Sequence, residues 1–245
     1  MKLHRFYYPF LGQLGETIII VDDKAHYIRN VLRIKLGRNL RIFNHLGHEY
    51  LAQITFVDRK SVTLVLQQDI KTINPSKLNI TLVQSISKGE RMDYTIQKAT
   101  ELGIHTIQPI TSEFGEVKLK DKRLEKKIKH WQNISISACE QSFRTDIPQI
   151  LKPISIQQYC QTQHTGIYLE PNESATIKTI ANNNWQKFAV AIGPEGGWSD
   201  NDLSLLQSSG LQGIQFGQRI LRTETMAPAI LAAIHSLWGD FVGSM

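Results

Sequence analysis

Two loops in the last third of the chain combine residue types that do chemistry. The first, Gly193-Pro194-Glu195-Gly196-Gly197-Trp198, follows an apolar run at 188–192 and precedes a helix start at Ser199. Glycines let backbone amides and carbonyls approach a flat ligand, and the proline stiffens the turn. The second, residues 217–225 (GQRILRTET), gathers Arg219, Arg222, Thr223, Glu224 and Thr225 around Ile220-Leu221. An Arg-Glu pair and a helix cap account for part of that composition. They do not explain why a connection mixes apolar residues with such polar density, and the two loops together point to a ligand site. Phosphate-binding P-loops, dinucleotide fingerprints, zinc-protease helices and serine-hydrolase elbows are absent, and the 8 histidines are scattered without a metal-ligand spacing. No metal is expected.

Two further clusters carry charge. In 97–103 (QKATELG), Lys98 and Glu101 stand three apart on one helical face, the spacing of an intrahelical ion pair. Residues 138–144 (ACEQSFR) end on Arg144 and close the longest helical candidate, 118–141. Its inward stripe is Leu124, Ile128, Trp131 and Ala138, and its first half holds seven basic residues. That run suits either a solvated helix face or a phosphate-binding one.

The elements that position these clusters follow from periodicity. From residue 78 onward, apolar runs at 78–83, 104–110, 166–169, 188–192 and 213–216 alternate with helical stretches at 90–102, after Ser199 and at 225–238. In the last helix, Pro228 is read as part of the first turn, where its missing N–H costs nothing. Such alternation predicts an α/β domain with a mostly parallel sheet, and both loops then lie beyond strand carboxyl ends, where ligands bind in open sheets. Before it, strands with period two are expected at 17–21, 40–42, 50–56 and 62–66. A helix over 23–32 turns Ala25, Ile28 and Leu32 inward and His26, Arg29 and Arg33 outward. The polar stretch at about 67–77 separates a β-rich domain, 1–70, from the α/β domain, 78–245.

With 245 residues, 41% of them hydrophobic, the chain has enough apolar surface for a core. Its 2 cysteines cannot staple a fold of this size and fit a reducing compartment. No apolar run reaches the roughly 18 residues of a membrane span, so a soluble, cytoplasmic protein without a membrane partner is expected. The net charge of +6 favours a polyanionic partner.

Taken together, 96–103 (IQKATELG), 138–144 (ACEQSFR), 192–197 (IGPEGG) and 217–225 (GQRILRTET), with His4-Arg5-Phe6, His26 and Val31-Leu32-Arg33, resemble the 16S ribosomal RNA uridine-N3 methyltransferases of the SPOUT superfamily. Phe216, Met226 and Phe114 depart from the family's usual residues. The resemblance implies a small N-terminal PUA-like β-barrel followed by a SPOUT α/β methyltransferase domain with a C-terminal trefoil knot, acting as a homodimer. It implies S-adenosyl-L-methionine as cofactor, lined by Leu169, Gly193, Glu195, Gly196, Gly197, Phe216, Gly217, Ile220, Leu221 and Thr225. It further implies 16S ribosomal RNA in the assembled small subunit as partner, and Arg5, His26, Arg29, Arg33, Lys98 and Arg144 are the residues expected to grip it. Arg222 is then expected to carry catalysis by stabilising the deprotonated uracil, and Glu224 to orient that arginine or accept the proton. A SPOUT enzyme for transfer RNA or 23S ribosomal RNA would share the cofactor loops, and a non-enzymatic ribosome-assembly factor would share the fold.

Overall fold

The computed structural model describes residues 3–10, 12–115, 117, 121–180 and 187–241, so the start of the expected helix at 118–141 lies outside the described residues. The chain forms two compact units: Met1–Pro75 with Cys139–Asp146, and Ser76–Ala138 with Ile147–Met245.

The first unit is built on a five-stranded sheet of β1 (Arg5–Tyr7), β2 (Thr17–Val21), β3 (Asn39–Phe43), β4 (Glu49–Val57) and β5 (Ser61–Asp69), in the order β1-β3-β4-β5-β2. Alternation does what period two demands: Ile18, Ile20, Leu40, Ile42, Ala52, Ile54, Val62, Leu64 and Leu66 form one buried face. The strand β1 escapes a periodicity argument because it is three residues long, and it pairs parallel with β3 while the other pairings are antiparallel. Just after β1, Tyr8 Oη donates to the Ile19 carbonyl of β2 at 3.3 Å, joining the two ends of the sheet order. The expected helix at 23–32 is a short α-helix, α1 (Asp22–His26), running into a π-helical turn at Tyr27–Val31, with Ala25 and Ile28 buried.

Arg5 does not face solvent, as a phosphate-gripping residue must. It is 5% exposed. Its Nε and Nη2 donate to the Glu49 carboxylate at 3.1 and 3.0 Å, Nη1 to the Cys139 carbonyl at 2.6 Å and Nη2 to the Arg144 carbonyl at 2.9 Å. The guanidinium also lies 3.6 Å over the Phe43 ring. With its donors committed to Glu49 and two main-chain carbonyls, Arg5 is a structural clamp. Lys24 and the Tyr7 amide reach Glu140 in the same way, so these contacts hold Cys139–Asp146 in the first unit.

The second unit is a wholly parallel sheet of β6 (Asn79–Ser85), β7 (Thr106–Thr111), β8 (Gln149–Ile150), β9 (Ile154–Ser155), β10 (Gly166–Leu169), β11 (Lys187–Ile192) and β12 (Leu211–Ile214). The order is β12-β10-β11-β6-β7-β8, with β9 also on β7. Around it run α2 (Glu90–Glu101), α3 (Asp121–Ser142), α4 (Ile156–Tyr159), α5 (Asp200–Ser208) and α6 (Thr223–Trp238). One apolar cluster includes Leu82, Ile96, Val190 and Ile230; another includes Val83, Tyr168, Ala191 and Leu206. Alternate residues of β6 and β11 therefore feed different cores, which is why these strands read as continuous apolar runs.

Pro228 requires a correction. Helix α6 begins at Thr223, with the amides of Thr225 and Met226 both on the Arg222 carbonyl, so Pro228 sits in the second turn. Lacking an N–H, it gives the Glu224 carbonyl no i+4 donor. Among the described residues, no helix is long and apolar enough to cross a membrane and no acid, histidine or cysteine cluster can hold a metal. Both cysteines are free, and burial pushes the Cys139 thiol up to about 12.

Candidate active site

Strand order explains where the site lies. The chain passes from β10 to its neighbour β11 and then returns across β10 to lay down β12. The crevice beyond the carboxyl ends of these strands is a topological switch point. A cleft of about 660 Å³ opens there, within the range of small-molecule sites. It is lined by Leu169 at the end of β10, residues 170–171, 192–195, 197–198 and 215–224, with Arg91 and Met226 completing the lining.

Side-chain ties hold the loops to the sheet. The buried Trp198 donates from Nε1 to the Leu169 carbonyl at 3.1 Å. Thr223 Oγ1 donates to the Gly193 carbonyl at 2.8 Å and accepts from Gln84 Nε2 at 3.2 Å, so one hydroxyl couples both loops to the end of β6. Gly197 and Gly217 adopt φ of 77° and 80°, which a side chain would strain. Arg91, at the start of α2, pairs with Glu195 at 2.9 Å over the glycine-rich loop. A Thr223→Val variant keeps the shape but takes this donor from the Gly193 carbonyl and leaves Gln84 Nε2 with the Ser85 carbonyl alone. Its unfolding midpoint should fall by an amount equivalent to about 1–3 kcal/mol; an unchanged midpoint would remove the hydroxyl from this account.

Of the residues expected at the cofactor, Leu169, Gly193, Glu195, Gly197, Phe216, Gly217, Ile220 and Leu221 line the cleft. Gly196 and Thr225 are outside the lining. A Cβ on Gly196 would come 3.1 Å from Phe114 Cβ, so its small size serves loop packing, while Thr225 lies exposed on the first turn of α6. Arg222 and Glu224 both border the cleft. Among the described residues the guanidiniums of Arg219 and Arg222 have no hydrogen-bond or ion-pair partner, and the expected Arg222–Glu224 pair is not formed. Glu224 Oε2 is shielded from solvent and has no hydrogen-bond partner. Ile220 is 87% exposed on the rim.

Of the residues expected to grip RNA, Lys98 belongs to the second unit and the others to the first. His26 and Arg33 are exposed, and Arg29 is half-buried, donating to the Asp58 carbonyl at 2.9 Å. Arg144 pairs with Asp146 beside the Arg5 clamp, and Lys98 pairs with Glu101 at 2.8 Å, the ion pair its spacing predicts. Missing from the expectation were Arg91 and Gln84, whose partners are 104 and 139 residues away. Glu170, Pro171 and Gln215 also line the cleft, and nothing in their local sequence marks them.

Residues 74–235 match the RNA methyltransferase domain family, and residues 20–67 match the RNA methyltransferase PUA domain. The ribosomal RNA small subunit methyltransferase E of Buchnera aphidicola subsp. Schizaphis graminum is 35% identical, over 98% of each chain. That of Mesomycoplasma hyopneumoniae is 36% identical, over 94% of this chain and 97% of its own. Among solved structures, a ribosomal RNA small subunit methyltransferase E from Neisseria gonorrhoeae bound to S-adenosyl methionine superposes with a TM-score of 0.90 at 36% identity, covering 98% of this chain and 100% of the other. The chain belongs to the ribosomal RNA small subunit methyltransferase E family.

Proposed function

We propose that the protein methylates N3 of a uridine in 16S ribosomal RNA with S-adenosyl-L-methionine, in the assembled small subunit, as a cytoplasmic homodimer. Residues 1–70 serve as a PUA-like RNA-binding barrel and 78–245 as the SPOUT domain, with the 193–197 and 216–225 segments at the cofactor site in a trefoil knot. The observation that carries this reading is the pairing of a ligand-sized cleft at the switch point with an unpartnered Arg222 on its wall.

The cofactor fits the donor set. Leu169, Ile192, Phe216 and Leu221 offer apolar surface to an adenine, and glycine backbone lies open at 197. The shielded, unpartnered Glu224 carboxylate oxygen suits a site that receives a cationic or N–H-bearing group. When bound, S-adenosylmethionine supplies an electrophilic methyl.

The chain's own residues then have two tasks. Uracil N3 must lose its proton before its lone pair can attack, so the site must stabilise negative charge spread over the flanking carbonyls. Arg222 aims a planar, permanently charged fork at those oxygens, a task that lysine's single ammonium performs poorly. Glu224, with no ion pair to Arg222, accepts the N3 proton. The residues lining the cleft would hold S-adenosylmethionine with its methyl toward N3, and the bound group would supply that methyl while sulfur keeps the bonding electron pair. Apolar walls restrict water and hold donor and acceptor in near-attack contact.

The substrate class is tested with radiolabelled S-adenosylmethionine and separately purified small subunits, large subunits and transfer RNA from cells lacking the activity. Label confined to small subunits is expected. Label in transfer RNA or large subunits would overturn the substrate, and no label anywhere would favour an assembly factor. For the first domain, reversing charge at Arg29 and Arg33 should lower the salt slope of RNA binding by about 2. An unchanged slope would remove this helix from the RNA surface.

A further inference from the structure

We propose that the groove between α3 and the β8 edge is a second RNA-binding surface, one that holds phosphates several nucleotides from the methylated base. It rests on the reading of the protein as an RNA methyltransferase. The groove encloses about 560 Å³ and lies within the second unit. From α3 it receives Glu125, Lys129, Gln132 and Asn133, and from the β8 segment Gln149 and Lys152.

Three observations select the occupant. Lys129 and Lys152 approach from opposite walls, both exposed, and neither has an ion-pair partner among the described residues. Glu125, four residues from Lys129 and also on the groove, forms no ion pair with it among the described residues. Lys126 and Lys127 extend the positive charge along the same helix. Next, the strand edge is closed to an added peptide: Gln132 Oε1 accepts from the Ile150 amide at 3.3 Å, and Gln132 Nε2 donates to the Pro148 carbonyl at 3.0 Å. β-Strand addition needs those groups free, so recognition falls to side chains: beside the apolar Ile128, Ile150 and Leu151, the groove offers two cations and the amides of Gln132, Asn133 and Gln149, which suit phosphate and sugar. Finally, β8 is three strands from β11 and five from β12, whose ends form the cleft. At ~4.8 Å per strand the groove is roughly 14–24 Å from the cleft. At one phosphate per ~3.4 Å of a helical strand, that is about four to seven nucleotides.

The test is a K129Q/K152Q variant of the full chain, titrated with protein-free 16S ribosomal RNA at several salt concentrations. The slope of log K against log salt should lose about 1.4–1.8, the contribution of two phosphate contacts. Equilibrium titration of S-adenosylmethionine should give an unchanged Kd, showing that the cleft is intact. A slope equal to that of the unsubstituted protein overturns the proposal, and so does a loss confined to intact subunits, which would assign the groove to a ribosomal protein. A misfolded pair would be recognised by loss of cofactor binding, and K129Q and K152Q taken singly, each expected to lose about half the slope change, then decide. If the unsubstituted protein transfers no methyl to RNA but the slope change is present, the methylation reading fails and the groove stands.

Discussion

An Arg222→Lys variant is expected to lose about 10²–10³-fold in kcat, the scale of removing one preorganised donor to developing negative charge. It should bind S-adenosylmethionine as the unsubstituted protein does. Arg222 borders the cleft and has no partner among the described residues, so its removal breaks no contact that shapes the pocket. Lysine preserves charge but presents one point donor where the uracil anion carries charge on two carbonyl oxygens. Single-turnover methylation at saturating cofactor, with a parallel calorimetric Kd, separates chemistry from binding. Turnover near that of the unsubstituted protein would remove Arg222 from catalysis. A large rise in the cofactor Kd would reassign it to cofactor binding.

An Arg5→Ala variant should act on stability. The substitution leaves a buried carboxylate, Glu49, with Arg41 as its remaining ion-pair partner, and takes the arginine's donors from the Cys139 and Arg144 carbonyls. Breaking a buried pair from one side costs about 3–5 kcal/mol because the other charge stays desolvated. For a protein of this size, that is a fall in Tm of roughly 6–20 °C. The salt slope of RNA binding, measured below the transition, should not change, since a buried guanidinium neutralises no phosphate. A normal Tm with weakened RNA binding would return Arg5 to the RNA surface.

These two arginines show what was legible in the sequence. Arg222 belongs to a nine-residue segment whose composition is odd for a connection, and its place after an apolar run puts it at a strand's carboxyl end by local reasoning alone. Arg5 sits in a segment too short to show a period, and its partners, Glu49, Cys139 and Arg144, are 44 to 139 residues away. The strands of the first unit were readable because one face of the sheet is buried, which imposes alternation. Those of the second unit were readable as apolar runs interrupted by helices. The segments β8, β9 and α4 have two to four residues each and owe their conformation to what they pack against. At the start of α6, Pro228 suggests a first turn from 225, whereas the helix begins at Thr223 and accommodates the proline one turn later. Within the site, both loops were legible, whereas the ties through Gln84 and Arg91 depend on tertiary placement.

The central claim is a methyl group placed on uridine N3, and mass spectrometry of nucleosides tests it most directly. Small subunits lacking the modification are incubated with the protein and deuteromethyl-labelled S-adenosylmethionine, and their RNA is digested to nucleosides. The account predicts labelled 3-methyluridine, present with the unsubstituted protein and nearly absent with Arg222→Lys. Label in a 2′-O-methylated nucleoside or in 5-methyluridine, with none in 3-methyluridine, would contradict it, because neither product calls for an arginine that stabilises an anion formed at N3.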